Sequence, residues 1–244
     1  MLSAGPADTS PTSPGPQSIE PAAVPGSART ARRIAVEGVL GGLALPLIGF
    51  AVVDGINPDW SPAEAMISHY VHAPRGGWLV PLGVLALAVA SGTLTWLAAA
   101  YTRGRRAGLV LLGVWTSALL VAGVFPADPP GHWDKPPTTA GTLHGVAGLL
   151  AFAVLPAAAV VLSRVWRRDS RWRSVAGGLA VTTALSVVAF VLFMITFLDV
   201  QGGPSLAVGP WATITGLAER VMVWAYVGWL AVAAGGLRRI ARGG

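Results

Sequence analysis

The chain has 244 residues, of which 53 % are hydrophobic and only 11 % charged. A soluble domain usually carries about 25 % charged residues, so a soluble fold of this composition would expose large apolar patches, and lipid is the simpler solvent for it. The formal charge of +6 does not point to nucleic acid, because the arginines fall in short clusters between apolar runs; the absence of cysteine excludes disulfides, thiolate metal sites and a cysteine nucleophile.

Residues 1–33 form the first predicted segment. They are rich in Pro, Ser, Ala and Gly, show no apolar period and end in Arg29, Arg32 and Arg33. Such a segment cannot bury enough surface to offset ordering entropy, so a disordered tail is expected. The apolar run after it is about 20 residues long and lacks a small-residue cleavage site, which predicts a retained span rather than a signal peptide. A helix needs roughly 20 apolar residues to cross the hydrocarbon. Six segments qualify: 35–54, 77–100, 107–126, 140–163, 174–198 and 213–236. Their runs are continuous rather than alternating, which selects helices over a barrel. The expected fold is an all-α bundle of six transmembrane helices over 34–237, followed by a short basic tail, 238–244.

The basic residues set an orientation. All but Arg75, Lys135 and Arg220 lie before span one, between spans two and three, between four and five, or after six. The positive-inside rule makes that side the cytoplasm, with both termini inside, in a cytoplasmic membrane. The opposite side holds Asp54, Asp59, Glu64, Asp128, Asp134 and Asp199. Trp60, Trp78, Trp133 and Trp211 are expected at the outer interface, and Trp166 and Trp172 at the inner one. Gly38 and Gly42, four apart, fit close helix packing as well as they fit general glycine richness. Glu37 is expected to pair with Arg33. No internal repeat is evident, which weakens an inverted-repeat transporter.

The chemistry-bearing residues gather on the outer side. The stretch MISHYVHAPRGGW carries Ser68, His69, Tyr70 and His72; His132 lies in the next outer loop; His144 lies about five residues into span four. Glu219 and Arg220 lie on the order of 10 Å below the outer end of span six. Charges at that depth normally face a protein interior or a wet cavity. Adjacent helical positions point about 100° apart, so each needs another partner. A cluster of His144, Glu219, Arg220 and Asp128, capped by His69 and Tyr70, is geometrically plausible. Each residue also has a plain reading. Arg220 can be a structural ion pair tying span six to span three or five, and Glu219 a packing hydrogen bond. His144 can be a satisfied core histidine, Asp128 a turn cap, Tyr70 an interfacial anchor, and the remaining histidines loop residues. His69, His72, His144 and Asp128 could form a four-ligand set, but no compact motif such as HExxH occurs, and no metal or cofactor is expected. Ser68 beside His69 is a poor nucleophile–base pair, because sequence neighbours rarely align.

These segments in order, SHYVHAPRGGW, GVFPADPP with TTAGTLHGVAGLLAF, and TGLAERVMVWAYVGWL, resemble a bacterial and archaeal membrane family called domain of unknown function nine-nine-eight. The likeness spans about 34–237. It matches Ser68 and Tyr70 to a Ser-x-Tyr segment and Phe125, Pro126 and Asp128 to Phe-Pro-x-Asp. It also matches Gly141 and His144 to Gly-x-x-His, and Arg220 to a Gln-Arg pair. Glu219 departs from that pair, which shifts weight to Arg220 and His144. The resemblance implies a six-helix bundle and supplies no reaction. The leading expectation is an outer-side polar pocket binding a membrane lipid headgroup or an amphipathic small molecule. Arg220 would engage an anionic group, and His144 would move a proton. The alternatives are an enzyme using His144 and Asp128 as acid–base groups on a lipid or isoprenoid, and a structural or partner-binding membrane protein. Proton-coupled transport ranks lowest, because the inner halves of the later spans are nearly uncharged.

Overall fold

A computed structural model describes residues 26–102, 106–131, 135–201 and 205–243. Six long helices account for most of them: α1 (Gly26–Ile56), α2 (Leu79–Tyr101), α3 (Ala107–Val124), α4 (Thr139–Trp166), α5 (Ala176–Gln201) and α6 (Thr215–Gly243). Short 3-10 helices, Ile67–His72 and Ser170–Val175, sit in two connections. Among the described residues there is no strand, only a bridge between Val208 and Trp211. All six long helices are long and apolar enough to cross a membrane. The all-α, six-span expectation therefore holds. α1 begins at Gly26, inside the segment expected as tail; residues 1–25 lie outside the described residues. α3 stops at Val124, because Phe125 precedes a proline and is pushed into the extended region.

Each helix packs on the next in the chain, and α6 returns to α1, closing a ring. α6 also touches α2 and α4. Glycines permit the closest approaches. A Cβ on Gly42 would press on Ala90 of α2, and one on Gly83 would press on Pro46 and Phe50 of α1. Gly38 meets nothing within 4 Å, so only one of the two spaced glycines serves packing. Pro156 inside α4 cannot donate to the carbonyl of Phe152. The Tyr226 hydroxyl of α6 donates to that carbonyl instead, which meets the demand that no backbone polar group stay unpaired in lipid.

The arginine clusters meet at one end of the bundle. Arg171 donates to the Tyr101 carbonyl, Arg32 to the Tyr101 hydroxyl and Arg239 to the Ser174 carbonyl. Glu37 pairs with Arg238 of α6 at 2.7 Å, not with Arg33; the N–H is not aligned for a hydrogen bond, so the contact is an ion pair. Trp166 and Trp172 also depart from expectation. They are buried and stack with centroids 4.0 Å apart, and Trp229 stacks on Trp166. Trp166 donates to Thr102 and Trp229 to Ser163, so these two N–H groups turn to protein instead of water, while Trp172 Nε1 is buried with no hydrogen-bond partner among the described residues. At the opposite end Trp78 and Trp211 are exposed, and Trp133 is outside the described residues.

Candidate functional site

The arginine-poor end is organised by the α1–α2 connection. Asn57 donates to the carbonyls of Val53 and Arg75 and accepts from the Arg75 N–H, closing the connection on itself. Gly76 takes φ of +67° there, a conformation that glycine adopts at little cost. The closed loop lays the 3-10 helix Ile67–His72 across the mouth of the bundle, where His72 Nε2 lies 2.7 Å from the Ala127 carbonyl. The start of α6 then packs hard against the same connection. Leu217 N–H donates to the Ala63 carbonyl, and a Cβ on Gly216 would overlap the Ala65 and Pro62 carbonyls.

Arg220 locks this junction. Its Nε and Nη2 donate to the two oxygens of Asp54 on α1 at 3.0 and 2.6 Å, and Nη1 donates to the carbonyls of Ala65 and Gly216. The guanidinium also lies 5.2 Å from the centroid of the Tyr70 ring, within cation–π range. Tyr70 is fully buried and donates to the Trp60 carbonyl. Burial, with the Asp54 charge added, pushes its hydroxyl up to about 12. The expectation that Arg220 faces the polar pocket is thereby corrected. Its partner is on span one rather than three or five, and all three of its nitrogens donate to Asp54 or to backbone carbonyls. Tyr70 stands behind it, not over the pocket.

The pocket lies on the other side of α6. A cavity of about 780 Å³ opens between α2, α3, α4, α5 and α6 beneath the 3-10 helix. Ser68, His69, Asp128, Lys135, His144 and Glu219 line it, and Trp115, Phe152 and Phe193 close its apolar depth. Arg220 is absent from this wall although it follows Glu219, as the 100° step between neighbours dictates. Glu219 is 4 % exposed, and one of its carboxylate oxygens accepts the Ile67 N–H. His144 Nδ1 lies 2.9 Å from the carbonyls of both Ala122 and Phe125. Both are acceptors, so Nδ1 carries the proton, and in the neutral ring Nε2 is an acceptor. Asp128 accepts from the Thr138 N–H and hydroxyl at the start of α4, a favourable place for a carboxylate. A Cβ on Gly141 would land on that carboxylate. Asp128 thus fastens the α3–α4 connection to α4.

His69 sits in the cavity roof. Burial pushes its imidazole down to about 4, with His72 and His144 adding to the shift. In the unfolded chain the ring protonates near 6.5. Between those values the unfolded state binds more protons, so stability falls as pH drops through 6.5 and the full penalty is present below about 4. The expected cost over that window is about 2–3 kcal/mol after discounting partial exposure. Melting curves in lipid nanodiscs from pH 7 to 4 check this: His69→Gln should lose part of the wild-type acid dependence, and parallel curves would refute it.

Five of the residues singled out in the sequence therefore share one cavity: Ser68, His69, Asp128, His144 and Glu219. His132 lies outside the described residues. His69, His72, His144 and Asp128 do not close into a metal-ligand group. Two features escaped the sequence reading. One is Asp54, the partner of Arg220. The other is the face of α4 that hollows the cavity: Gly145 and Gly148 line it, and a Cβ on either meets nothing within 4 Å.

A family model described as "Protein of unknown function (DUF998)" matches residues 39–236. No curated protein and no solved structure matches the chain.

Proposed function

The chain belongs to the DUF998 family, whose function is unknown, so membership supplies no reaction, and we propose from the cavity that the protein binds a membrane amphiphile. The arginine-rich end faces the cytoplasm of a cell membrane by the positive-inside rule, and the ligand enters from the opposite leaflet. One observation carries this reading: a cavity of about 780 Å³ is polar at its mouth and apolar at its floor. Small-molecule sites commonly have roughly 300–1,000 Å³ with a few convergent polar groups. A tail would lie against Trp115, Phe152 and Phe193, and a head would stop at the level of His144 and Glu219.

Binding is favoured over acid–base catalysis by the hydrogen bonds. Asp128 is engaged by Thr138, and His144 directs its one N–H at backbone carbonyls. A general acid–base pair needs its members within hydrogen-bond reach of a shared substrate atom; both Asp128 oxygens are engaged by Thr138, and His144 keeps only Nε2 for the cavity. The test is native mass spectrometry of the full chain from nanodiscs doped with a hexadecyl amphiphile. One retained amphiphile per chain is expected. A chain that emerges bare, or one whose adducts are as numerous in a variant with a filled cavity, overturns the reading.

A further inference from the structure

We propose that Glu219 and His144 form a pair of hydrogen-bond acceptors in the cavity wall that selects amphiphiles whose heads donate hydrogen bonds, a primary amine first and an alcohol second. This inference rests on the cavity being an amphiphile site and names the head group it takes.

Glu219 is buried in the wall and uses one carboxylate oxygen on the Ile67 N–H. Its other oxygen, Oε1, takes no hydrogen bond from the described residues. The neighbouring guanidinium cannot serve it, because Arg220 is turned about 100° away and is bound to Asp54, Ala65 and Gly216. A donor on a ligand head would give Oε1 a partner inside the protein, where a hydrogen bond is electrostatically stronger than in water. His144 adds a second acceptor. Its Nδ1–H is held by two carbonyls, so the neutral ring can offer the cavity only the lone pair of Nε2. An ammonium head would give the carboxylate a charge-assisted bond, which is stronger than a neutral one. An ether oxygen would bring an acceptor to acceptors, and a phosphate would bring negative charge to a carboxylate. Lys135 lines the rim; an anionic head would stop there, short of Glu219.

The full chain is placed in nanodiscs of phosphatidylcholine, a lipid whose head has no donor. Hexadecylamine, hexadecanol, hexadecyl methyl ether and hexadecyl phosphate are added at equal membrane fraction, and retained adducts are read by native mass spectrometry. The amine and the alcohol should be retained at least about tenfold over the ether and the phosphate, the amine leading. Glu219→Gln sharpens the test. Its amide oxygen can keep the Ile67 N–H, so its NH2 turns to the cavity and presents donors. The preference should then swing at least about tenfold toward the ether and the phosphate, with the melting temperature little changed. If all four probes are retained alike, or the phosphate leads in the wild type, the acceptor pair is wrong while the amphiphile site stands. If no probe is retained, both are wrong. The wild-type series decides the matter even where the variant fails to fold.

Discussion

Replacing Arg220 with Met should lower the melting temperature by roughly 6–12 °C, the equivalent of about 3 kcal/mol in a chain of this size. The change strips both oxygens of Asp54 of their donors and leaves the Ala65 and Gly216 carbonyls without the Nη1 contacts. Removing one member of a buried pair typically costs about 3–5 kcal/mol, because the other charge stays behind. The side chains here are 12 % and 20 % exposed, which places the effect at the low end. Lysine is no substitute, since a point charge cannot grip both carboxylate oxygens and two carbonyls as the guanidinium fork does. The decisive comparison adds Asp54→Leu. The double variant should recover about half of the loss, because the stranded carboxylate is gone while the Ala65 carbonyl still lacks the donor that Nη1 gave it. A double variant as unstable as Arg220→Met alone would mean that Asp54 is not the partner that matters. Cavity binding in Arg220→Met, measured on the fraction that folds, should stay close to wild type, because the guanidinium is not in the cavity wall.

The six spans were legible because lipid leaves so little choice: a run of apolar residues about 20 long must be a helix when no water is present to satisfy its backbone. Depth was legible for the same reason, and it drew attention to His144, Asp128 and Glu219, which do line one cavity. Direction was not. Glu219 and Arg220 occupy the same depth, and only the packing of α6 against α1 decides that one turns to the cavity and the other to Asp54. Nothing local ties positions 54 and 220, which lie 166 residues apart. Asp54 read simply as an acid at a span boundary. Trp166 and Trp172 show the same limit in reverse. Their level in the chain was evident, but whether an indole faces headgroups or a neighbouring indole depends on Trp229 arriving from α6. The glycines of α4 recur at spacings of three and four, so a small-residue face was present in GTLHGVAGLL. In spans such a face ordinarily marks a helix contact. Here Gly141 seats the Asp128 carboxylate, while Gly145 and Gly148 border empty space, because α4 meets α6 only sparsely.

That empty space makes Gly148 the cleanest place to separate binding from folding. Gly148→Phe should reduce retention of a hexadecyl amphiphile by more than about tenfold, the loss of roughly 1.4 kcal/mol or more of binding, while leaving the melting temperature equal or higher. A Cβ at 148 meets nothing within 4 Å, so the new ring has room to enter the cavity without displacing backbone. The helix also gains, since glycine in a helix interior is destabilising by about 0.5–1 kcal/mol relative to alanine. The ring would settle toward Phe152 and Phe193 in the apolar depth and occupy the volume assigned to a ligand tail. Gly145→Ala is the matched control. Its added methyl also points into open space, but it is too small to exclude a chain, so stability should rise and binding should hold. A Gly148→Phe protein that melts higher and still retains its amphiphile would place the ligand elsewhere on the bundle. One that loses both fold and ligand would show that this face of α4 is packed against something in the membrane, which would make the cavity an interface between helices.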